Sequence, residues 1–334
     1  MVPCHFLEIV NAALANCNPW FPGAHKSMVI LNILRCSKLS NITIFPWILI
    51  IMTLNDTLAI LRTKERETGR LLENALSSNR YGHNSNFEIL RSADAYYLPA
   101  VNRKARIKWG TTFIREIFAF FGTGDYKDGP TDPIFLVTIA DESHLTTAQP
   151  QPINLSKIKR KIGAGLIGLS YIGMTEPGYY NVIYDELGNQ LKNVVSWHGH
   201  FLVWGITKKQ LARHLAKIKP PFKPTMPGLC AVHKKLFPLD QFGYKLWYIL
   251  KAPRKEYSIG QRRDCNQKTG AARFKQNSRD LRPGNRLKLF NLMRDMYLDK
   301  LAMAGGEGSE LLRRIKYDAL QEYRQKNGWD DRRP

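Results

Sequence analysis

Acidic side chains are scarce in this 334-residue chain: 28 Asp and Glu stand against 50 Lys and Arg, a formal charge of +22. Such an excess argues against a cationic partner and points to a polyanion, nucleic acid first and an anionic membrane surface second. Paired cysteines are lacking as well. The five present, Cys4, Cys17, Cys36, Cys230 and Cys265, are odd in number and irregular in spacing. That excludes a disulfide framework and fits a reducing, cytoplasmic setting. Cys230 and His233 form one Cys-x-x-His pair with no second pair to complete a zinc site, so both read as structural. The apolar run at 42–51 spans only ten residues and contains Pro46. A spanning helix needs about 20, so no stable membrane span is expected. Also missing are the basic-then-apolar order of a signal peptide, any internal repeat, and a Gly-x-x-x-x-Gly-Lys-Ser/Thr loop. The last absence excludes a fused P-loop helicase.

What is present divides unevenly. Residues 1–51 are apolar and hold three of the cysteines. Met52 opens a more ordinary start, so 1–51 reads as an extension without a folded role, with a peripheral membrane anchor as the competing reading. A polar helical pattern runs from 53 to about 77, and a Ser/Asn/Gly linker covers 77–86. A second helical pattern spans 87–122, and a Gly/Asp/Pro loop follows to 133. Next come a buried strand at 134–139, a basic-faced helix at 156–169, a strand at 171–176, a turn at 185–189 and a histidine-bearing strand. A helix at 207–218, a proline-rich loop at 219–228, a short strand near 231–236 and a helix from about 239 complete the unit. A short turn forces its flanking strands to pair antiparallel, whereas helices make the other connections. The expected fold is therefore α+β. A central antiparallel sheet flanked by helices occupies 105–260, with a helical N-terminal region at 52–104 and a basic arm and helical C-terminal region at 261–334.

The stretch with the most chemistry is Trp197-His198-Gly199-His200-Phe201-Leu202-Val203-Trp204. Alternate residues of a strand point to one face, so His198 and His200 project together. Neutral imidazole is the commonest metal ligand. Glu176, read as ending the strand before the hairpin, is carried toward the histidines by pairing across 185–189 and adds a carboxylate. Two imidazoles and one carboxylate with open positions suit Mg²⁺ or Mn²⁺ and admit other divalent ions. Downstream, Tyr244, Tyr248 and Lys251 stand at i, i+4 and i+7 on one face of a helix that Pro253 closes. Leu246, Trp247, Ile249 and Leu250 supply its packing face. Residues 251–288 then carry 12 Lys and Arg against 3 Asp and Glu. With Arg254, Lys255, Arg262, Arg263, Arg273 and Lys275, this segment reads as a polynucleotide-tracking arm that orders on binding. Residues 285–328 read as helical, broken at 305–308.

In this order the motifs resemble the HUH endonuclease superfamily, which comprises rolling-circle replication initiators, relaxases and related transposases. The likeness covers about residues 105–260. The strand at 134–139 is similar to the family's first motif but lacks its diagnostic polar residues. Trp197-His198-Gly199-His200 is similar to the His-hydrophobic-His strand, with Gly199 at the usually apolar middle. Tyr244-x-x-x-Tyr248-x-x-Lys251 is similar to the helix of paired-tyrosine initiators, with Trp247 where lysine is usual. The resemblance implies that Glu176, His198 and His200 hold Mg²⁺ or Mn²⁺. Tyr244 or Tyr248 would attack a DNA phosphodiester, leaving a 5′-phosphotyrosine and a free 3′-OH, and Lys251 would neutralise a phosphate.

The implied protein is a replication initiator encoded by a plasmid or phage in a bacterial cell. It would act on single-stranded or locally melted origin DNA beside host helicase and polymerase. A transposase or mobilisation relaxase would share the chemistry. A reading of another class is a non-catalytic nucleic-acid-binding protein: its basic residues would matter, whereas His198, His200 and Tyr244 would not. A membrane-surface protein using 42–51 would lose lipid association on removal of 1–51.

Overall fold

The structure, a computed structural model, describes residues 53–78, 95–122, 133–149, 151–184, 189–218, 221–225, 230–237, 241–265 and 272–327. The expectations for 1–51, for most of the 77–86 linker, for 87–94 and for the turn at 185–188 lie outside them. No helix among the described residues is long and apolar enough to cross a membrane.

The chain is α+β, with a curled, mixed seven-stranded sheet in the order β4-β1-β3-β2-β5-β6 and β7 beside β2. The strands are β1 (Phe135–Thr147), β2 (Ser170–Tyr184), β3 (Gln190–Trp204), β4 (Val232–Leu236), β5 (Lys255–Cys265), β6 (Ala272–Asp280) and β7 (Ala302–Gly305). The helices are α1 (Leu54–Ser77), α2 (Arg103–Phe120), α3 (Leu155–Ala164), α4 (Lys208–Ile218), α5 (Phe242–Leu250), α6 (Pro283–Met293), α7 (Leu298–Leu301), α8 (Gly308–Ala319) and α9 (Gln321–Asn327). Central β2 and β3 pair antiparallel over nearly their whole length, and β1 and β4 extend that sheet on the β3 side. Along β2, the segment from Ser170 to Tyr179 is almost entirely buried, because helices cover both sheet faces. Two-sided burial removes the polar–apolar alternation that a half-exposed strand would show.

Three expectations change. The sheet is mixed rather than antiparallel, because β5 joins β2 in parallel at Tyr179–Val182. The basic segment is not an unstructured arm: β5 and β6 form an antiparallel hairpin. Its organiser is Glu256, a rare acid in that stretch. Glu256 is buried and takes Arg279 Nε at 2.6 Å, Arg282 Nε at 2.8 Å and Asn285 Nδ2 at 2.6 Å. A charge taken out of water needs such partners, and here the surplus arginines supply them. Finally, the stretch expected to be helical at 285–328 contains β7, which pairs with β2 at Tyr171–Met174. Gly305 is required there, since a Cβ would collide with the Tyr171 ring.

Helix α1 opens with a capping box in which Thr53 and Asp56 satisfy each other's free backbone N–H groups. It buries Leu58 and Leu61 in the main core and packs tightly on its neighbours. The Leu61 side chain lies over Gly110 of α2, and Thr57 lies against Gly243 of α5. Inside this packing sits an ion pair between two buried side chains. Arg106 donates Nε to Glu65 Oε2 at 2.7 Å and Nη2 to Leu250 O at 2.6 Å. Leu250 O is a carbonyl at the end of α5 and needs a partner from outside that helix. Arg106 thus ties α1 and α2 to the end of α5. Arg106→Met strands the buried Glu65 carboxylate and is expected to cost about 3–5 kcal/mol of stability. The change should appear as a lower denaturant midpoint at unchanged slope. A loss within about 0.5 kcal/mol, typical of surface positions, would refute a structural role for the pair.

Candidate active site

The register of β2 and β3 builds the site. Glu176 lies directly opposite His198, and Met174 opposite His200, so all four share one face of the sheet. Glu176 is therefore mid-strand, not at a strand end as expected. β2 simply continues eight residues further, to Tyr184. Helices α2 and α5 cover this face: Trp109 Nε1 donates to Met174 Sδ at 3.3 Å, and the Tyr248 ring meets the His200 ring at 5.0 Å. On the opposite face, Phe201 packs edge-on against Tyr171.

That opposite face also accounts for Gly199, the departure from the family pattern. A Cβ there would collide with the Phe201 ring, which already covers the position. The apolar group expected between the two histidines is present, but it is supplied by the residue two places along.

Glu176, His198 and His200 each offer a ligand atom, all within 4.8 Å of one another. His198 Nε2 and His200 Nε2 both lie 3.2 Å from Glu176 Oε1. His198 Nδ1 faces the Ser196 carbonyl at 3.1 Å. A carbonyl only accepts, so Nδ1 carries the proton and donates it. Nε2 meets a second acceptor, Glu176 Oε1, so one proton on the ring serves only one of the two contacts and a proton on each nitrogen serves both. His200 Nδ1 is hydrogen-bonded to Thr138 Oγ1 at 2.8 Å, which fixes that ring. Two buried atoms, Glu176 Oε2 and His200 Nε2, have no hydrogen-bond partner. Orphaned atoms of this kind are costly in a folded chain. The donor set, two imidazoles and one carboxylate, fits Mn²⁺ or Mg²⁺.

Electrostatics favour the ligand forms. Burial by itself would raise the Glu176 carboxyl, but the Lys251 ammonium and the two imidazoles outweigh it and hold the group well below the usual carboxylate range. Burial pushes His200 down to about 4, against the pull of Glu176, so its ring is neutral at physiological pH. Lys251 Nζ sits 2.6 Å from Glu176 Oε1 and 3.9 Å from the centre of the Tyr248 ring. Its ammonium is the cation currently facing the carboxylate. Lys251→Met is therefore expected to tighten Mn²⁺ binding by about tenfold or more, because the competing charge is gone. Calorimetric titration reads this directly, and unchanged or weaker binding would count against a shared role for Glu176.

The two tyrosines separate. Tyr248 lies against His200 and under Lys251. Tyr244 is 45% exposed and tilts against Trp247, on the side of Lys245. Lys251 itself lies just past the helix, in an extended conformation (ψ 143°) that turns it back to Glu176.

Of the basic residues expected to bind DNA, Arg254 is engaged with Glu67 at 2.9 Å. Lys255 and Lys275 are exposed on the β5–β6 hairpin. The side chains of Arg262, Arg263 and Arg273 lie outside the described residues.

Several neighbours escaped the sequence reading. Thr138 belongs to the strand that lacks diagnostic polar residues, yet it shares the parity that faces β3's histidines. Gly178 leaves room for His198, whose Cε1 would lie 3.1 Å from an added Cβ. Tyr180 and Tyr257 pair across β2 and β5 with ring centres 5.2 Å apart. Burial first, then Tyr248, pushes Tyr180 up to about 12. Burial, then Glu176, Tyr248 and Tyr180, raises Tyr257 further. Glu176, Gly178 and Tyr180 alternate along β2, a period-two signal visible in the sequence once the strand is extended.

Compared with known protein families, curated proteins and solved structures, the chain matches none of them.

Proposed function

We propose that the chain is a metal-dependent DNA strand transferase of the HUH kind, acting as a rolling-circle replication initiator, with Tyr248 as its nucleophile. The observation that carries this reading is the convergence of one phenol and one ammonium on a Glu-His-His group in which Glu176 Oε2 and His200 Nε2 have no hydrogen-bond partner. An unpartnered histidine nitrogen is not peculiar to this group, since buried His144 has two; what marks His200 is that its Nε2 shares Glu176 Oε1 with His198. This favours the catalytic reading over a non-catalytic nucleic-acid-binding protein.

Glu176, His198 and His200 would hold Mg²⁺ or Mn²⁺, which supplies charge stabilisation at a phosphate oxygen. The remaining work falls to the chain. Tyr248 Oη attacks phosphorus, a new P–O bond to tyrosine forms, and the bond to the neighbouring 3′-oxygen breaks. The phenolic proton goes, through solvent, to that departing 3′-oxygen. The product is a 5′-phosphotyrosine with a free 3′-OH, and attack by a 3′-OH reverses the step without ATP. Lys251, drawn off Glu176 when a metal binds there, becomes available to the phosphate. Single-stranded DNA fits this demand, because the reacting phosphate must reach a largely buried group.

The test is covalent capture. The protein is incubated with Mn²⁺ and single-stranded oligonucleotides from candidate origins, then run on a denaturing gel. A Tyr248-dependent adduct supports the reading, and its absence across the origins refutes it. A transposase or mobilisation relaxase would give the same adduct and is distinguished by whether the substrate is a replicon origin, an element end or a transfer origin.

A further inference from the structure

Helices α3 and α4 lie on the sheet face opposite the candidate metal site. Ile162 of α3 comes within 3.6 Å of where a Gly199 Cβ would stand, on the Phe201 side of β3. The two helices touch each other, since His214 of α4 is hydrogen-bonded to Gly165 O at 3.1 Å and Ile218 abuts the same glycine. Their apolar residues, Ile158, Ile162, Leu211 and Leu215, are spent on the core. Neither helix contains an acidic residue. Their outward surface carries six exposed cations: Lys157, Arg160, Lys208, Lys209, Arg213 and Lys217. Carboxylates on neighbouring elements are already engaged: Asp141 takes Lys161 at 2.6 Å, Glu142 takes Lys223 at 3.0 Å, and Asp299 acts on Lys159 of α3.

We propose that the α3–α4 face is a second DNA-binding surface, one that holds duplex DNA by its phosphates while the metal site takes the single strand. Six like charges on two adjoining helices repel one another, and a ladder of phosphates relieves that repulsion by releasing condensed counterions. The occupant is a duplex, for two reasons. Single-strand platforms rely on exposed aromatic rings, and neither helix presents one. Membrane-surface helices need an apolar face left free, and both apolar faces here are buried in the core. Cations without base-stacking groups read backbone charge and are indifferent to sequence. The identity of the polyanion as DNA rests on the proposed function. The existence of a polyanion surface does not.

The experiment uses the full chain and a variant carrying alanine at all six positions, with folding checked by the thermal midpoint. Binding to a labelled duplex of arbitrary sequence is followed across a salt series. The variant is expected to bind more weakly, with a log–log salt slope shallower by about five, close to one unit per lost phosphate contact. Mn²⁺-dependent capture of a short single strand should stay unchanged. An unaltered duplex slope would overturn the inference, as would equal losses toward a single strand or toward anionic lipid vesicles. If neither protein captures DNA covalently yet the duplex slope changes, the nicking reading fails and this surface stands.

Discussion

Replacing Tyr248 by phenylalanine is expected to abolish covalent capture of single-stranded DNA, with a fall of about 10⁴-fold or more in adduct formation, the scale seen when a nucleophile is deleted. Tyr244→Phe should leave capture within a few-fold of the parent. The contrast follows from geometry. Tyr248 packs on His200 beneath Lys251, whereas Tyr244 is exposed against Trp247, one turn away. Loss of one hydroxyl from a half-buried ring should barely alter stability, so both proteins should unfold at nearly the parental midpoint. If Tyr244→Phe proved the silent-adduct variant, the assignment of roles along α5 would be reversed. Equal partial losses in both would mean that the two phenols alternate as attacking groups.

The second large effect concerns the candidate metal ligands. His200→Ala and Glu176→Gln should each weaken Mn²⁺ binding by more than about 100-fold, above the roughly 10- to 100-fold cost of removing a residue that only orients a ligand. Stability linkage gives an independent readout. At a metal concentration 100 times its dissociation constant, an intact site gains about 2.7 kcal/mol against unfolding. That gain should appear as a raised midpoint in the parent, vanish with a chelator and be absent in His200→Ala. Parental metal stabilisation in His200→Ala would show that the ion sits elsewhere. Thr138 enters here too, because it holds the His200 ring through Nδ1. The reaction should then follow the same order of loss as metal binding, which separates this site from a tyrosine acting alone.

Some of this was readable from one dimension because it depends on local periodicity. The alternation of His198 and His200 follows from strand parity alone, and their joint projection needed only the judgement that the segment is extended. Glu176 was also within reach, since a hairpin couples residues on either side of a turn. Its mid-strand position was not, because Pro177 and Gly178 weaken a strand pattern locally, and pairing with β3 is what carries β2 on to Tyr184. The choice between Tyr248 and Tyr244 was out of reach. Both satisfy the same helical spacing, and only the rotation of α5 against the sheet separates them. The basic segment misled for a related reason. Its charge ratio resembles a disordered arm, yet one buried acid, Glu256, gathers Arg279 and Arg282 and lets the hairpin join β2.

By itself, then, the sequence determined the charge balance, the α+β class and the candidate ligands Glu176, His198 and His200, all properties of composition or short-range period. Tertiary structure decided the rest. It set Lys251 on Glu176, made Phe201 cover Gly199, joined Glu65 to Arg106 across 41 residues and gathered six cations on the far side of the sheet. Each of these depends on a contact between elements distant in the chain. Such contacts are set by packing and by the pairing of buried polar groups, which no local pattern encodes.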